Sequence, residues 1–165
     1  MKVDKRGQQI LGMPFEIIFA IFLIIVFIVI AFIAIGGFLD IGKSANVGVF
    51  YEDLQGAVDS AWASQSGEST FEIDLPSGIT HVCFANLSAP IKGNYKEQYQ
   101  MIKNYDVYEA NTFLVPPQFA QKLEWRMTNH LDIVNITKVN NPNCFLATED
   151  LKIKKEFYGK YVIIG

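Results

Sequence analysis

The chain has few of the side chains that catalysis most often uses. Its only histidines are His81 and His130. Neither has a second ligand at metal-site spacing, so each is expected to be an ordinary strand or turn residue. The sequence contains no Gly-x-Ser-x-Gly motif, phosphate-binding loop or dinucleotide-binding glycine pattern, and its carboxylates are scattered. These features predict a protein that is not an enzyme and that uses no cofactor and no metal.

Positive charge is also scarce. The chain has 14 Lys and Arg against 17 Asp and Glu, which gives a net charge of −3. Residues 1–16 hold three positive and two negative charges, so subtracting their +1 from −3 leaves −4 for the remainder. An acidic remainder argues against a nucleic-acid partner.

One long apolar run near the start dominates the sequence. The 22 residues from Ile17 to Phe38 carry no charge and no hydrogen-bonding side chain. As a helix they would be about 33 Å long, against roughly 30 Å of bilayer hydrocarbon. A secretory signal has a shorter apolar core, of about 7–15 residues, which ends at small residues such as Ala-x-Ala. The run therefore predicts a transmembrane helix over residues 15–39, which contacts membrane lipid and is not removed as a signal peptide.

Flanking charge predicts how this helix crosses the membrane. Three basic residues, Lys2, Lys5 and Arg6, precede the run, and only Lys43 lies close after it. Basic flanks are retained on the cytoplasmic side. Residues 1–14 are therefore expected to be a cytoplasmic basic leader, and the C-terminal part of the chain is expected to be extracellular.

A second helical pattern follows the apolar run. In residues 40–66 apolar side chains recur at three- and four-residue spacing, with acidic and polar side chains between them. The apolar stripe comprises Val47, Phe50, Tyr51, Leu54, Val58, Ala61 and Trp62. The spacing predicts one long helix from Phe15 to about Gln65, or two nearly coaxial helices separated near Gly36-Gly37 or Gly42. The stripe would pack on the rest of the chain.

After residue 66 the period changes, which predicts a β-rich head over residues 67–165. The sequences "TFEIDL" and "ITHVCFANL" flank the turn Pro76-Ser77-Gly78 and predict a hairpin from Thr70 to about Leu87. Further strands are predicted in "VYEANTFLV", "LDIVNITKV" and "CFLAT", and a closing hairpin is predicted from "LKIKKEF" and "KYVIIG". Loop is expected in "SAPIKGNYKEQYQMIKNYD" and a short helix in "QFAQKLEWRM".

Together these patterns predict an α+β fold. Its spine would be a long N-terminal helix, transmembrane in its first part and amphipathic in its second. A small, mainly antiparallel β-sheet head would pack on residues 44–65, because each supplies the apolar face that the other lacks.

Two cysteines, Cys83 and Cys144, fall in predicted strands. In an exported, oxidising compartment this pattern favours a disulfide, and the alternative is two buried free thiols. A bridge would close a loop of about 60 residues and stabilise the fold by about 4 kcal/mol.

Two glycosylation triplets also lie in the predicted head. Asn86-Leu87-Ser88 and Asn135-Ile136-Thr137 both match Asn-x-Ser/Thr. In an exported domain such triplets permit N-glycosylation, although they also arise by chance.

The segment Lys5-Arg6-Gly7-Gln8 stands before the long apolar run. In this layout the start of the chain resembles the type IV pilin-like proteins, especially those of archaea. In that family a basic residue and a glycine precede a hydrophobic helix, and a prepilin-type membrane peptidase cuts after the glycine. The segment Lys5-Arg6-Gly7-Gln8 is similar to that site, so the resemblance places the cut between Gly7 and Gln8. It implies that the helix first anchors the protein and then forms the core of a cell-surface filament, packed against copies of itself or other pilin-like subunits.

The resemblance also implies an assembly surface on the apolar helix, which comprises Glu16, Ile17, Phe22, Phe27, Phe32 and Phe38. Glu16 would contact an amino group or a basic residue of a neighbouring subunit. Alternatively, its carboxylate lies at headgroup level in the first helical turn, where the helix dipole favours negative charge.

A departure from the family pattern keeps a second function open. Pilins become apolar almost immediately after the cut, whereas Gln8 to Pro14 intervene in this chain. The alternative is an uncleaved, membrane-tethered extracellular domain that binds a protein partner at the cell envelope.

Overall fold

In the computed structural model, the backbone is described for residues 12–165 and the side chains for residues 15–37 and 42–165. The chain divides into two compact units, Met1–Ile41 and Gly42–Gly165. Helix α1, Gly12–Ala63, supplies the described part of the first unit and opens the second. The structure therefore has one long helix, the first of the two arrangements that the sequence allows, and this helix continues through Gly36-Gly37 and Gly42.

The second unit contains seven short strands in two sheets. They are β1 (Gly67–Phe71), β2 (His81–Phe84), β3 (Thr112–Val115), β4 (Trp125–Arg126), β5 (Asn143–Leu146), β6 (Leu151–Lys155) and β7 (Val162–Ile164). One sheet has the order β1-β6-β7 and the other the order β4-β3-β2-β5. All paired strands in both sheets are antiparallel. The fold is α+β, with a long N-terminal apolar helix and small antiparallel sheets, as predicted.

The predicted first hairpin is wrong. β1 pairs with β6, whereas β2 pairs with β3 and β5 in the other sheet. Gly78, in the predicted turn, has a φ of +107°, and a Cβ built there would lie 2.8 Å from the ring of Phe119. The turn therefore lies against the segment after β3 and carries the chain from one sheet to the other. The predicted closing hairpin is confirmed, because β6 and β7 pair with each other.

A strand predicted in "LDIVNITKV" is also wrong. The structure has helix α3, Ile133–Ile136, in this stretch. The side chain of Asp132 caps the helix and accepts a hydrogen bond from the backbone N–H of Asn135 at 3.1 Å. A capped turn satisfies backbone groups locally, which here outweighs the strand preference of the β-branched residues.

Two further segments differ from expectation. The predicted loop contains helix α2, Lys96–Ile102, followed by a 3₁₀ turn, Lys103–Tyr105. The predicted short helix is instead a 3₁₀ turn, Pro117–Phe119, followed by β4. Gln121 and Lys122 have positive φ angles, which a right-handed helix does not allow.

The apolar stripe of α1 is the centre of the core, as predicted. Its members Val47, Phe50, Tyr51, Leu54 and Val58 are buried in one cluster with side chains from both sheets, whereas Trp62 is exposed. The Tyr51 hydroxyl donates a hydrogen bond to the Leu123 carbonyl at 3.2 Å. Burial raises the pKa of Tyr51 well above its usual range, so the phenol stays protonated and remains a donor.

We expect Leu54→Ala to lower the free energy of unfolding of the second unit by about 2–5 kcal/mol, because it leaves a cavity among fully buried neighbours. Val49 lies on the same helix but is exposed, so Val49→Ala should change the free energy of unfolding by no more than about 0.5 kcal/mol. Denaturant titration of the detergent-solubilised chain, followed by near-ultraviolet circular dichroism, measures both values. Equal effects of the two substitutions would contradict this packing.

Candidate functional site

The first part of α1 presents apolar side chains to its surroundings. Among the side chains described from Phe15 to Gly37, only Val26 is half-buried and all others are exposed. The helix is long and apolar enough to cross a membrane. A core helix of a globular protein would be mostly buried instead, so this surface is the candidate functional site.

The candidate assembly residues lie on different sides of this helix. Ile17, Phe22, Phe27 and Phe32 are all exposed, by 60%, 59%, 66% and 73%. With 3.6 residues per turn, a separation of five residues rotates the side chain by about 140°. The three phenylalanines therefore point in three directions, and the apolar surface surrounds the helix rather than forming one stripe.

The remaining assembly and processing residues are only partly described. Glu16 is exposed and begins the candidate surface on its N-terminal side. The side chain of Phe38 lies outside the described residues, as do the processing residues Lys5, Arg6, Gly7 and Gln8.

Cys83 and Cys144 form a disulfide. They lie directly opposite each other on the neighbouring strands β2 and β5. Both are buried in a second apolar cluster that includes Ile102, Phe113 and Val115. The bridge therefore fixes the pairing of two strands that are 61 residues apart in the chain.

The C-terminal end of α1 is held by polar contacts that the sequence did not predict. His130 has a φ of 65°, and its ring stacks on Trp62 with centroids 3.9 Å apart and planes 5° apart. Its Nδ1 lies 2.9 Å from Asp59 Oδ1, and Gln55 Oε1 accepts a hydrogen bond from the backbone N–H of Asn129 at 2.8 Å. His130 is thus a turn residue, as predicted, that fastens the helix to the segment before α3.

A groove of about 690 Å³ opens beside this contact. Its walls come from the segment after β2, from the segment before β3, from the segment after β4 and from the residue before β7. They include Asn86, Ser88, Tyr108, Asn129, His130 and Tyr161. We call it the Asn86 groove. Asn86 is half-buried at its wall, whereas Asn135, the asparagine of the other glycosylation triplet, is exposed on α3.

Among the side chains described, those of residues 15–37 and 42–165, no group of three or more His, Cys, Asp or Glu is arranged to hold a metal ion. Comparison of the chain with protein-family models, with curated proteins and with solved structures found no match. The likeness to pilin-like proteins therefore rests on the pattern of the sequence.

Removing the disulfide should destabilise the second unit. We expect Cys83→Ala with Cys144→Ala to lower the free energy of unfolding by about 4 kcal/mol, because the unfolded chain regains the freedom of a loop of about 60 residues. Denaturant titration with and without reductant measures this loss. Reductant should destabilise the original chain and leave the double variant unchanged, and a reductant-insensitive original chain would contradict the prediction.

Proposed function

We propose that the protein is a pilin-like structural subunit of a cell-surface filament. Before assembly its first helical part anchors it in the membrane, with the N-terminus in the cytoplasm and the head outside. In the filament, helices pack side by side through Ile17–Phe38 and the heads remain exposed. The observation that carries this proposal is the all-round exposure of a long apolar helix.

The difference in burial between the two parts of α1 supports the proposal. The stripe in residues 47–58 is already buried by the sheets, so the head leaves no comparable apolar face on that part of the helix. The side chains described in residues 15–37 have no such cover. Apolar surface of this extent must be covered by lipid, by other helices or by both in turn.

The composition of the exposed part favours a particular kind of packing. Helices in lipid associate closely through small residues, and the candidate span has only five of them, Ala20, Ala31, Ala34, Gly36 and Gly37. A bundle of these helices would therefore consist mainly of interdigitated Ile and Phe side chains. Such a bundle excludes water once the lipid is gone, which suits the core of a filament.

The disulfide supports an exterior head. Structural disulfides persist in oxidising compartments and are rare in the reducing cytosol. Cys83 and Cys144 are buried and paired across adjacent strands, as expected of a structural bridge. Their position therefore agrees with a head on the outer side of the membrane.

The second candidate is an uncleaved, tethered extracellular domain that binds a protein partner. It is favoured by the stretch from Gln8 to Pro14, which separates the candidate cut from the apolar run. In this case α1 would remain a lipid-embedded anchor, and the head alone would carry the function.

The mature N-terminus distinguishes the two. If a prepilin-type peptidase processes the chain, the mass of the N-terminal peptide from shed surface fibres should begin at Gln8. Gly7→Val should block the cut and retain the leader, because the peptidase cuts after glycine in the family that the chain resembles. Electron microscopy should then find no fibres. Intact Met1 in assembled wild-type fibres would contradict the pilin-like function.

A charge in the middle of the helix separates anchoring from assembly. Phe27→Lys raises the free energy of membrane insertion by about 2.5–3.5 kcal/mol. The helix should still insert, because the run has 22 apolar residues. A dry bundle has no water to solvate the same charge, so we expect membrane localisation to persist and filaments to disappear. Val49→Lys, at an exposed position on α1 in the second unit, is the matched control and should leave both unchanged. Normal filaments from Phe27→Lys would argue against helix-core assembly.

A further inference from the structure

The two glycosylation triplets are equivalent in sequence but not in structure. Asn86-Leu87-Ser88 lies in the turn that follows β2, and Ser88 is exposed. Among the described residues, the Ser88 hydroxyl makes no hydrogen bond to another group. The hydroxyl residue that defines an Asn-x-Ser/Thr acceptor is therefore open to an enzyme in this triplet.

The other triplet has its hydroxyl residue turned inward. Thr137 is only 6% exposed, and its hydroxyl donates a 2.6 Å hydrogen bond to the Ile133 carbonyl. Asn135 itself is exposed, but its backbone N–H donates a hydrogen bond to Asp132, the residue that caps α3. A transferase that reads both positions would have to unfold this helix first.

A buried amide holds the Asn86 turn in place. Asn141 is almost fully buried. Its Oδ1 accepts a hydrogen bond from the Asn86 backbone N–H at 3.0 Å, and its Nδ2 donates to the Asn86 carbonyl at 2.9 Å. The Asn86 Oδ1 accepts from the Ser88 backbone N–H at 3.1 Å. With that oxygen engaged, the Asn86 Nδ2 has no partner among the described residues and is the atom left for reaction.

The Asn86 groove offers room and matching chemistry beside that atom. Its volume of about 690 Å³ lies within the usual range for ligand sites, about 300–1,000 Å³. Tyr108 and Tyr161 supply aromatic faces for the C–H side of sugar rings, and Asn129 and Glu109 supply hydrogen-bonding groups for their hydroxyls.

We propose that Asn86 carries an N-linked glycan whose first sugar rings lie in the Asn86 groove. A lipid-phosphate-linked saccharide is the donor. The Asn86 Nδ2 forms a bond to the anomeric carbon, the bond from that carbon to the phosphate oxygen breaks, and the amide proton leaves with the phosphate. This inference rests on the exterior location of the head in the proposed function.

Peptide mass spectrometry of the full-length protein, purified from membranes of its native cells, tests attachment. We expect a saccharide mass on the peptide that contains Asn86, its complete loss in Asn86→Gln and Ser88→Ala, and its retention in Ser88→Thr and Asn135→Gln. An unmodified Asn86, or a saccharide on Asn135 alone, would overturn the proposal.

Hydroxyl-radical footprinting of the same preparation tests where the glycan lies. Tyr108 and Met127, both about half exposed at the groove, should be oxidised less in the original protein than in Asn86→Gln. Tyr158, 96% exposed at the β6–β7 turn, should be oxidised equally in both. Equal oxidation of the groove residues would overturn the placement of the sugar rings.

A location measurement separates this inference from the function on which it rests. A membrane-impermeant amine reagent applied to intact cells should label Lys160 of an exterior head. If Lys160 is labelled and Asn86 is unmodified, the glycan proposal is wrong and the extracellular head is retained. If Lys160 is labelled only after lysis, both the glycan and the extracellular location of the head are contradicted.

Discussion

Five side chains of α1 pack against both sheets at once, and the second unit is arranged around them. Val47, Phe50, Tyr51, Leu54 and Val58 share one buried cluster with Val82, Phe84 and Leu114 of one sheet and Leu151, Ile153, Val162 and Ile164 of the other. Each of these small sheets has an apolar face that must be buried against another element. The helix supplies the apolar surface that both of them need, so the head and the second part of α1 form one folding unit.

This packing determines what α1 has left for other contacts. The second part of α1 buries its apolar stripe against its own chain, while the side chains described before residue 38 remain uncovered. The same element is thus amphipathic where it meets the sheets and apolar on all sides where it does not. Lipid and other helices are the two kinds of surroundings that accept the second pattern.

Local patterns in the sequence predicted the parts of the fold that depend on near neighbours. The helix and its buried stripe follow from spacing within four residues, and the β6–β7 hairpin needs only a short turn. Pairings between distant segments were not predictable in this way. β1 joins β6 across about 80 residues, and only Thr70 and Phe71 of the predicted strand "TFEIDL" belong to β1. In α3 a single capping contact from Asp132 changed the outcome from strand to helix.

In the candidate site, too, the features with a local sequence signal were predicted, and those that depend on distant residues were not. Composition alone identified the apolar helix, and the compartment argument identified the disulfide between Cys83 and Cys144. The contacts of His130 were missed because Asp59 and Trp62 lie about 70 residues away, and neither the positive φ nor the ring stacking leaves a local signal. The Asn86 groove was missed for the same reason, since its walls come from four separate segments.

Charge and apolar surface have opposite effects on association of this protein. The chain after residue 16 carries a net −4, and like charge opposes close approach within about a Debye length, about 8 Å at physiological salt. The apolar side chains of residues 17–37 gain about 25 cal/mol for each Å² removed from water, and this gain has no comparable opposing charge. The proposed association through the helix would therefore bury the apolar surface of residues 17–37 and leave the net negative charge of the heads outside.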